Sequence, residues 1–380
     1  MTKVLHILTD VNRGGAGDQM LMLIGAADTS AFEMEVIIPE NSRVVPLLAA
    51  RDITYYEAPH IGDKSFSLAG VKTLYSLIKR IKPDIVHTHS SLSGRIAAKL
   101  NRRVRIVHTR HSAFPVAAWK KRFPIKKLTG FINNSLSDLA IAISPAAEEN
   151  LIDMGMTESK IRTMFNGTPP VGSFTLEEIS TLKLKYNISP DVFVLAIIGR
   201  LTEVKGHDDI LDAAKTVPDA LILVAGDGER QAHLEERIAN EGISNVKLLG
   251  FIEKVDEIIA VADALLNASF GTETSSLALI LGMSAGRPAV VSDYGGNPYL
   301  YKDGVNGLMF KIHDSAAIAE AMLKLKSDPK LYKRLSEGAR QVYSERFTDK
   351  IMASNTEAVY HELITLTPPR RSAPPLQGGE

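Results

Sequence analysis

Short apolar runs recur along this chain with amphipathic stretches between them, and that alternation leaves few folds open. Residues 4–8, 35–38, 84–87, 105–109, 139–143 and 161–165 read as strands in the first half, and residues 192–198, 221–225, 246–249, 264–267, 289–292 and 308–310 in the second. The runs are apolar on both faces, as buried strands are, and a sheet covered on both sides is built from parallel strands with helices as crossovers. The expected class is α/β, as two doubly wound parallel sheets. Helices are expected to begin near Asp18, Lys205, Glu229, Ser275 and Ser315, and the chain reads as strongly helical from Asp314 to about Thr365. The run Thr168-Pro169-Pro170-Val171-Gly172-Ser173 stops helix and strand alike. It divides the chain into domains at 1–168 and 173–345, each long enough for its own core.

Composition narrows the function. The 380 residues include no cysteine, which rules out disulfides and thiolate metal sites and suits a reducing compartment, so a cytoplasmic protein is expected. No stretch approaches the roughly 18 uncharged apolar residues of a membrane span. The N-terminus enters a strand without the charged, apolar and small-residue succession of an export signal. Residues 1–170 carry 22 basic against 15 acidic side chains and the remainder 22 against 29, so the halves differ, +7 against −7. A basic half in a neutral chain is what a domain facing a phosphate-bearing substrate or an acidic membrane would carry, though chance asymmetry gives the same count. A nucleic-acid partner is disfavoured, because overall charge is zero and no recognition motif is present.

The stretch with the most chemistry is Gly199-Arg200-Leu201-Thr202-Glu203-Val204-Lys205-Gly206. It sets two cations on a tight turn directly after an apolar strand, ahead of a helix whose positive N-terminal end favours an anion. A planar guanidinium fork and a compact ammonium together can hold a diphosphate. On these residues alone a solvated surface turn is the alternative.

Further segments stand in a telling order: Asn12-Arg13-Gly14-Gly15, Pro83-Asp84-Ile85-Val86-His87-Thr88-His89, Thr109-Arg110-His111, Asn166-Gly167, Gly226-Asp227-Gly228, and Glu273 through Gly286-Arg287-Pro288. With that turn they resemble the family 4 nucleotide-sugar glycosyltransferases of bacterial type, whose two Rossmann-like domains face one another across a cleft in the GT-B arrangement. The resemblance runs over nearly the whole chain. It implies an acceptor-side N-terminal domain, a nucleotide-sugar-binding C-terminal domain, and a helix over 346–366 packing back on the N-terminal domain; residues 367–380 read as a disordered tail. It also implies retaining, metal-independent hexosyl transfer from a nucleotide-diphospho-sugar, UDP-linked by expectation, to a cell-surface glycan or glycolipid. The donor is then a substrate, and no cofactor is expected.

On that resemblance Arg200 and Lys205 bind the donor diphosphate and stabilise the charge it carries off. His111, at the carboxyl edge of its strand, and Glu273 serve the sugar. Gly14 and Gly15 let the backbone approach the donor closely, and Asn166, Gly226, Asp227 and the backbone around Ser275, Ser276 and Leu277 complete its binding. No metal site is expected, Asp208-Asp209 being read as compensating a helix dipole. His87 and His89 are read as pointing to opposite sides of their strand, His89 toward the cleft and His87 into structure. Two positions depart from the family pattern. Gly17-Asp18 stand where many relatives have Glu directly after Gly-Gly-Ala, and Leu281 stands where the second Glu of a Glu-x7-Glu pattern would hold the ribose hydroxyls. Leu281 keeps a degenerate binding protein in view as a rival reading, alongside a nucleotide-sugar epimerase. A Rossmann oxidoreductase fits worst, since the first strand-to-helix turn lacks Gly-x-Gly-x-x-Gly.

Residues 114–131 hold five cations between 120 and 127, interleaved with Trp119, Phe123 and Leu128. Such a mixture suits the boundary of an anionic membrane or a lipid diphosphate acceptor. Peripheral contact with the inner face of the membrane is expected from it, with a solvated loop over the acceptor cleft as the plainer reading.

Overall fold

The computed structural model describes residues 1–114 and 116–365. Its strands are β1 (Thr2–Leu8), β2 (Phe32–Pro39), β3 (Tyr55–Ala58), β4 (Ile85–His89), β5 (Arg105–Arg110), β6 (Leu139–Ala142) and β7 (Ile161–Thr163), then β8 (Phe193–Ile198), β9 (Ala220–Ala225), β10 (Val246–Gly250), β11 (Ala264–Asn267), β12 (Ala289–Ser292) and β13 (Gly307–Phe310). They form two sheets, ordered β3-β2-β1-β4-β5-β6-β7 and β10-β9-β8-β11-β12-β13. Every pairing is parallel. Both faces are covered, as the apolar runs require. In the second sheet Leu195, Ile197, Ile222 and Val224 pack with Ile210, Leu211, Ile318 and Met322, while Val194, Ala196, Leu223 and Ala225 pack with Ile258, Leu279 and Met283. Each fully buried aliphatic side chain contributes roughly 1.5–3 kcal/mol.

Several local expectations need correction. The edge strand β3, Tyr-Tyr-Glu-Ala, escaped the sequence reading because only Ala58 is fully buried, so the run lacks the apolar signature of a covered strand. β7 stops at Thr163: Phe165 has already left the first sheet and meets Phe347 edge to face at 5.4 Å. The first helix begins at Gly15, not Asp18, with Gly14 as its N-cap. Lys205 closes a 3-10 turn, Glu203–Lys205, and the α-helix starts only at His207. The later helices start at Gln231 and Leu277, two residues beyond Glu229 and Ser275.

The chain passes between the sheets twice, and the two passages pair. Thr168 N–H donates to Phe347 O and Asp349 N–H to Thr168 O, both at 3.0 Å, forming a parallel bridge between Thr168 and Thr348. The last helix, Asp349–Thr365, lies against the first sheet's layer: Met352 and Ala353 pack with Leu23, and Tyr360 and Leu363 with Val4, Phe32 and Ile85. The tail expected over 367–380 lies outside the described residues.

Candidate active site

In open parallel sheets ligands bind beyond the carboxyl ends of the strands, where the strand order reverses. Here the reversals fall between β1 and β4 and between β8 and β11. The candidate residues lie just past those ends: Gly14 and Gly15 after β1, His111 after β5, Arg200 and Lys205 after β8, Glu273 after β11. Two hydrogen bonds hold the ends of the two sheets face to face. Thr274 Oγ1 donates to the His111 carbonyl at 2.9 Å, and Asn166 Nδ2 to the Ser275 carbonyl at 3.1 Å. His111 and Glu273 are thus one residue apart across a direct interdomain contact.

Lys205 and Glu273, 68 residues apart in sequence, form an ion pair of 2.8 Å whose side chains are 27% and 6% exposed. Glu273 Oε2 also accepts from Asn267 Nδ2 and Ser269 Oγ, each at 3.0 Å. Burial pushes this carboxyl up, but the Lys205 charge and the donated hydrogen bonds outweigh it, and the group is held below its ordinary range. Glu273 Oε1 accepts from none of the described residues, and the lysine keeps two N–H bonds for another partner. Neighbouring backbone fixes the pair. Phe270 N–H donates to Val204 O, and Asn297, seated on Asn267 and Ser292, braces the loop from behind. Asn297 is fully buried there, which gives it a structural task.

Arg200 is exposed on the crevice side of its turn. The residue it faces, Asp10 after β1, was not singled out in the sequence; burial and Asp63 push the Asp10 carboxyl up, and Arg200 holds it down. The turn itself is seated by close backbone approach. Gly206 has φ +68° and a Cβ there would lie 2.1 Å from Ala268 O; one on Gly226 would lie 1.8 Å from Gly199 O. Leu201 N–H donates to Asp227 O at 2.7 Å, so Gly226 and Asp227 support the cationic turn through their backbone while the Asp227 side chain stays exposed.

Gly14 and Gly15 are glycines for another reason. Neither has positive φ, and a Cβ would meet only Asp10 Oδ2 at 3.9 Å in the first case and nothing in the second. The fold does not demand a missing side chain there, but the space is left open at a helix N-terminus. Ser275 Oγ and Asn166 Oδ1 are buried without a hydrogen-bond partner beside the interdomain contact. Unsatisfied buried polar atoms are uncommon in folded proteins, and each has room for a hydrogen-bonding partner. Ser276 caps the helix Leu277–Ser284 through Leu279 N–H, and Leu281 sits half-buried on it, eight residues beyond Glu273.

A cluster of imidazoles lies behind His111. His87 and His89, two apart on β4, are on the same face, since strand side chains alternate with period two; the expectation of opposite sides was wrong. His6 on β1 pairs with His87 across the ladder. His87 gives one ring nitrogen to Tyr360 OH and the other to Thr109 Oγ1, both at 2.7 Å. His6, His87 and His89 come near enough to suggest a metal centre. Both His87 nitrogens are engaged by hydroxyls and His89 Nε2 lies 3.1 Å from His6 Nδ1, so these nitrogens are already hydrogen-bonded. Asp208 and Asp209 do more than offset a dipole: Asp208 pairs with Arg230, His233 and Arg237, and Asp209 with His313.

Known proteins share this chain's sequence pattern and fold. The sequence profile of the glycosyl transferases group 1 matches residues 178–342, and that of glycosyltransferase family 4 matches residues 13–170. The chain is 30% identical over 321 residues to the UDP-Gal:alpha-D-GlcNAc-diphosphoundecaprenol alpha-1,3-galactosyltransferase of Escherichia coli, covering 77% of this chain and 79% of that protein. It is 25% identical over 326 residues to the alpha-monoglucosyldiacylglycerol synthase of Acholeplasma laidlawii, with the same coverage of each. Among solved structures, HepE of Anabaena, crystallised with UDP and glucose, superposes with a TM-score of 0.84 at 20% identity, over 95% of this chain and all of that one.

Proposed function

This chain belongs to family 4 of the glycosyltransferases and takes its sugar from a nucleotide sugar, and from that premise we propose that it moves a hexose from a UDP-sugar, with retention and without a divalent ion, to a lipid-linked glycan or glycolipid. The observation that carries the proposal is the Lys205–Glu273 pair, its carboxylate buried where the β8 and β11 ends meet the first sheet, with Arg200 on the same turn as the lysine. As the anomeric C–O bond breaks, its electron pair leaves on the diphosphate, and the two cations stabilise the charge that develops there. Glu273 is fixed through Oε2 by three donors, one of them a full positive charge, which leaves Oε1 to accept from a ligand. It fits a hydroxyl acceptor that steadies the sugar, so retention rests on attack from the face the diphosphate leaves.

Leu281 cannot accept hydrogen bonds from ribose hydroxyls, so donor affinity rests on the diphosphate. Thermal unfolding with UDP-, GDP- and ADP-sugars tests both points. A bound nucleotide stabilises the fold by about 2.7 kcal/mol at a hundredfold excess over Kd, and the UDP-sugars are expected to give the largest rise. In Leu281→Glu the same rise is expected at roughly ten- to a hundredfold lower concentration, the equivalent of about 1–3 kcal/mol for one charge-assisted contact. If no nucleotide shifts either protein, the donor reading fails.

The acceptor side is supported by an exposed apolar and basic surface. Phe114, Trp119, Phe123, Leu128 and Phe131 are 57–81% exposed, with Arg122 and Lys127 exposed among them. Leu128, Phe131 and Ile132 share one face of the helix Ile125–Leu136. No helix among the described residues is long and apolar enough to cross a membrane. Peripheral contact with an anionic inner leaflet suits this surface, and two relatives bear names that place their acceptors on lipids. The chain should float with anionic vesicles, and a triple Glu variant of Arg122, Lys126 and Lys127 should remain behind. Equal flotation of the two would remove membrane contact from the proposal.

A further inference from the structure

Two imidazoles behind His111 have no task in the chemistry above, and their hydrogen bonding gives them one. His111 Nε2 lies 2.9 Å from His89 Nδ1, and His89 Nε2 lies 3.1 Å from His6 Nδ1. The rings are tilted by only 27° and 17°, with centroids 5.1 and 5.4 Å apart. Nitrogens that close between centroids that far apart mean rings meeting edge to edge in nearly one plane, the geometry of N–H···N hydrogen bonds rather than of face stacking. His6 is fully buried, and its Nε2 has no partner. The chain of rings therefore has one end sealed in the core and the other at the interdomain crevice.

A neutral imidazole carries one N–H and one lone pair, so each contact needs one of each and the row can be protonated in two ways. If protons point toward the core, His6 Nε2 carries an N–H buried with no acceptor. If they point toward the crevice, every ring carries its proton on Nδ1, His6 Nε2 is a bare lone pair, and His111 presents Nδ1–H. Buried N–H groups without an acceptor are the rarer and costlier defect. His87 cannot supply the missing partner, as Tyr360 and Thr109 occupy both its nitrogens. We propose that His89 and His6 are positioning residues that lock His111 in its Nδ1–H form, making it a fixed hydrogen-bond donor to an oxygen of the sugar donor. His111 Nδ1 lies on the backbone side of the ring, where Thr274 holds the residue's carbonyl from the facing domain, and it has no partner among the described residues. Burial keeps all three rings neutral, so the row stays a relay of single protons.

The inference rests on the transferase reading for its purpose, but its test needs no donor. In full-length protein labelled with 15N in the imidazoles, long-range proton–nitrogen correlation at pH 7.5 should show His111, His89 and His6 all protonated on Nδ1. In His89→Leu the His111 resonances should move toward the Nε2–H form, and kcat should fall on the order of tenfold or more while the donor KM changes little. His89→Asn places an amide N–H where Nδ1–H stood and should recover the Nδ1–H form of His111 and most of the lost rate. An Nε2–H His111 in the wild type overturns the proposal, as does a His111 tautomer that is the same in the Leu and Asn variants. Correct tautomers in a protein without transferase activity would sink the function and leave the relay standing.

Discussion

Lys205→Ala is expected to lower kcat by about two to three orders of magnitude, the loss found when one preorganised donor to a developing negative charge is removed. It should also lower stability, which separates it from Arg200→Ala. Lys205 is the only full positive charge among the described residues hydrogen-bonded to buried Glu273; without it the carboxylate keeps Asn267 Nδ2 and Ser269 Oγ but is left uncompensated. Breaking a buried pair from one side costs about 3–5 kcal/mol, and water reaching the partly exposed lysine site reduces this to about 1–3 kcal/mol. Arg200 has no such partner among the described residues: it is exposed and acts on Asp10 through its field. Its removal should cost a comparable factor in kcat at unchanged melting temperature, and a chelator should leave the wild-type rate unaltered. Steady-state kinetics beside thermal unfolding of the two variants gives the answer. Wild-type turnover in both would end the electrostatic account, and an unchanged melting temperature in Lys205→Ala would mean that the ion pair contributes nothing to the fold.

The contrast between these two cations marks what could be read from the sequence and what could not. Their presence on a turn after β8 was legible because the glycines at either end and the apolar strand before them are local signals. So were the parallel sheets, since buried strands carry their apolar character in consecutive residues. The partners were not legible. Glu273 meets Lys205 from the loop after β11, Asp10 meets Arg200 from the other domain, and Thr274 meets the His111 carbonyl, each through contacts that no local spacing encodes. His6 was hidden more thoroughly, as one polar residue in an apolar run whose meaning depends on His89, 83 residues away. Asn166 shows the converse: it was expected to bind donor, and the structure turns its amide onto the Ser275 carbonyl, leaving only Oδ1 for a ligand. The helix starts misplaced by two or three residues share one cause. Gly15, His207 and Leu277 begin their helices wherever a loop under tertiary constraint releases the backbone, and polar residues nearby mark that point only loosely.

Mild acid is expected to unfold the first domain well before the second. Five imidazoles there, His6, His87, His89, His108 and His111, are held below the ordinary histidine range, His6 at about 3 and His111 at about 4. Burial is the main cause for each. Neighbouring imidazoles add to it for His87 and His89, Arg95 and Arg110 for His108, and Arg110 for His111. The sign follows from linkage. In the unfolded chain these groups titrate near 6.5; above that value both states are neutral and the burial carries no proton penalty. Below it the unfolded chain binds protons that the folded one refuses, so stability falls as pH drops toward the lowered folded-state values. Each such histidine costs about 1.4 kcal/mol per pH unit, and five together cost about 7, against a typical domain stability of about 5–15 kcal/mol. The second domain holds a single comparable group among the described residues, His207, at about 4. Hydrogen exchange between pH 7.5 and 5.5, corrected for intrinsic rates, should therefore show protection collapsing in β1, β4 and β5 while β8 and β9 hold. Equal loss in both sheets, or the slope of a single histidine, would mean that the imidazoles find compensating partners on protonation, and a row of rings able to accept protons that easily could not fix the tautomer of His111.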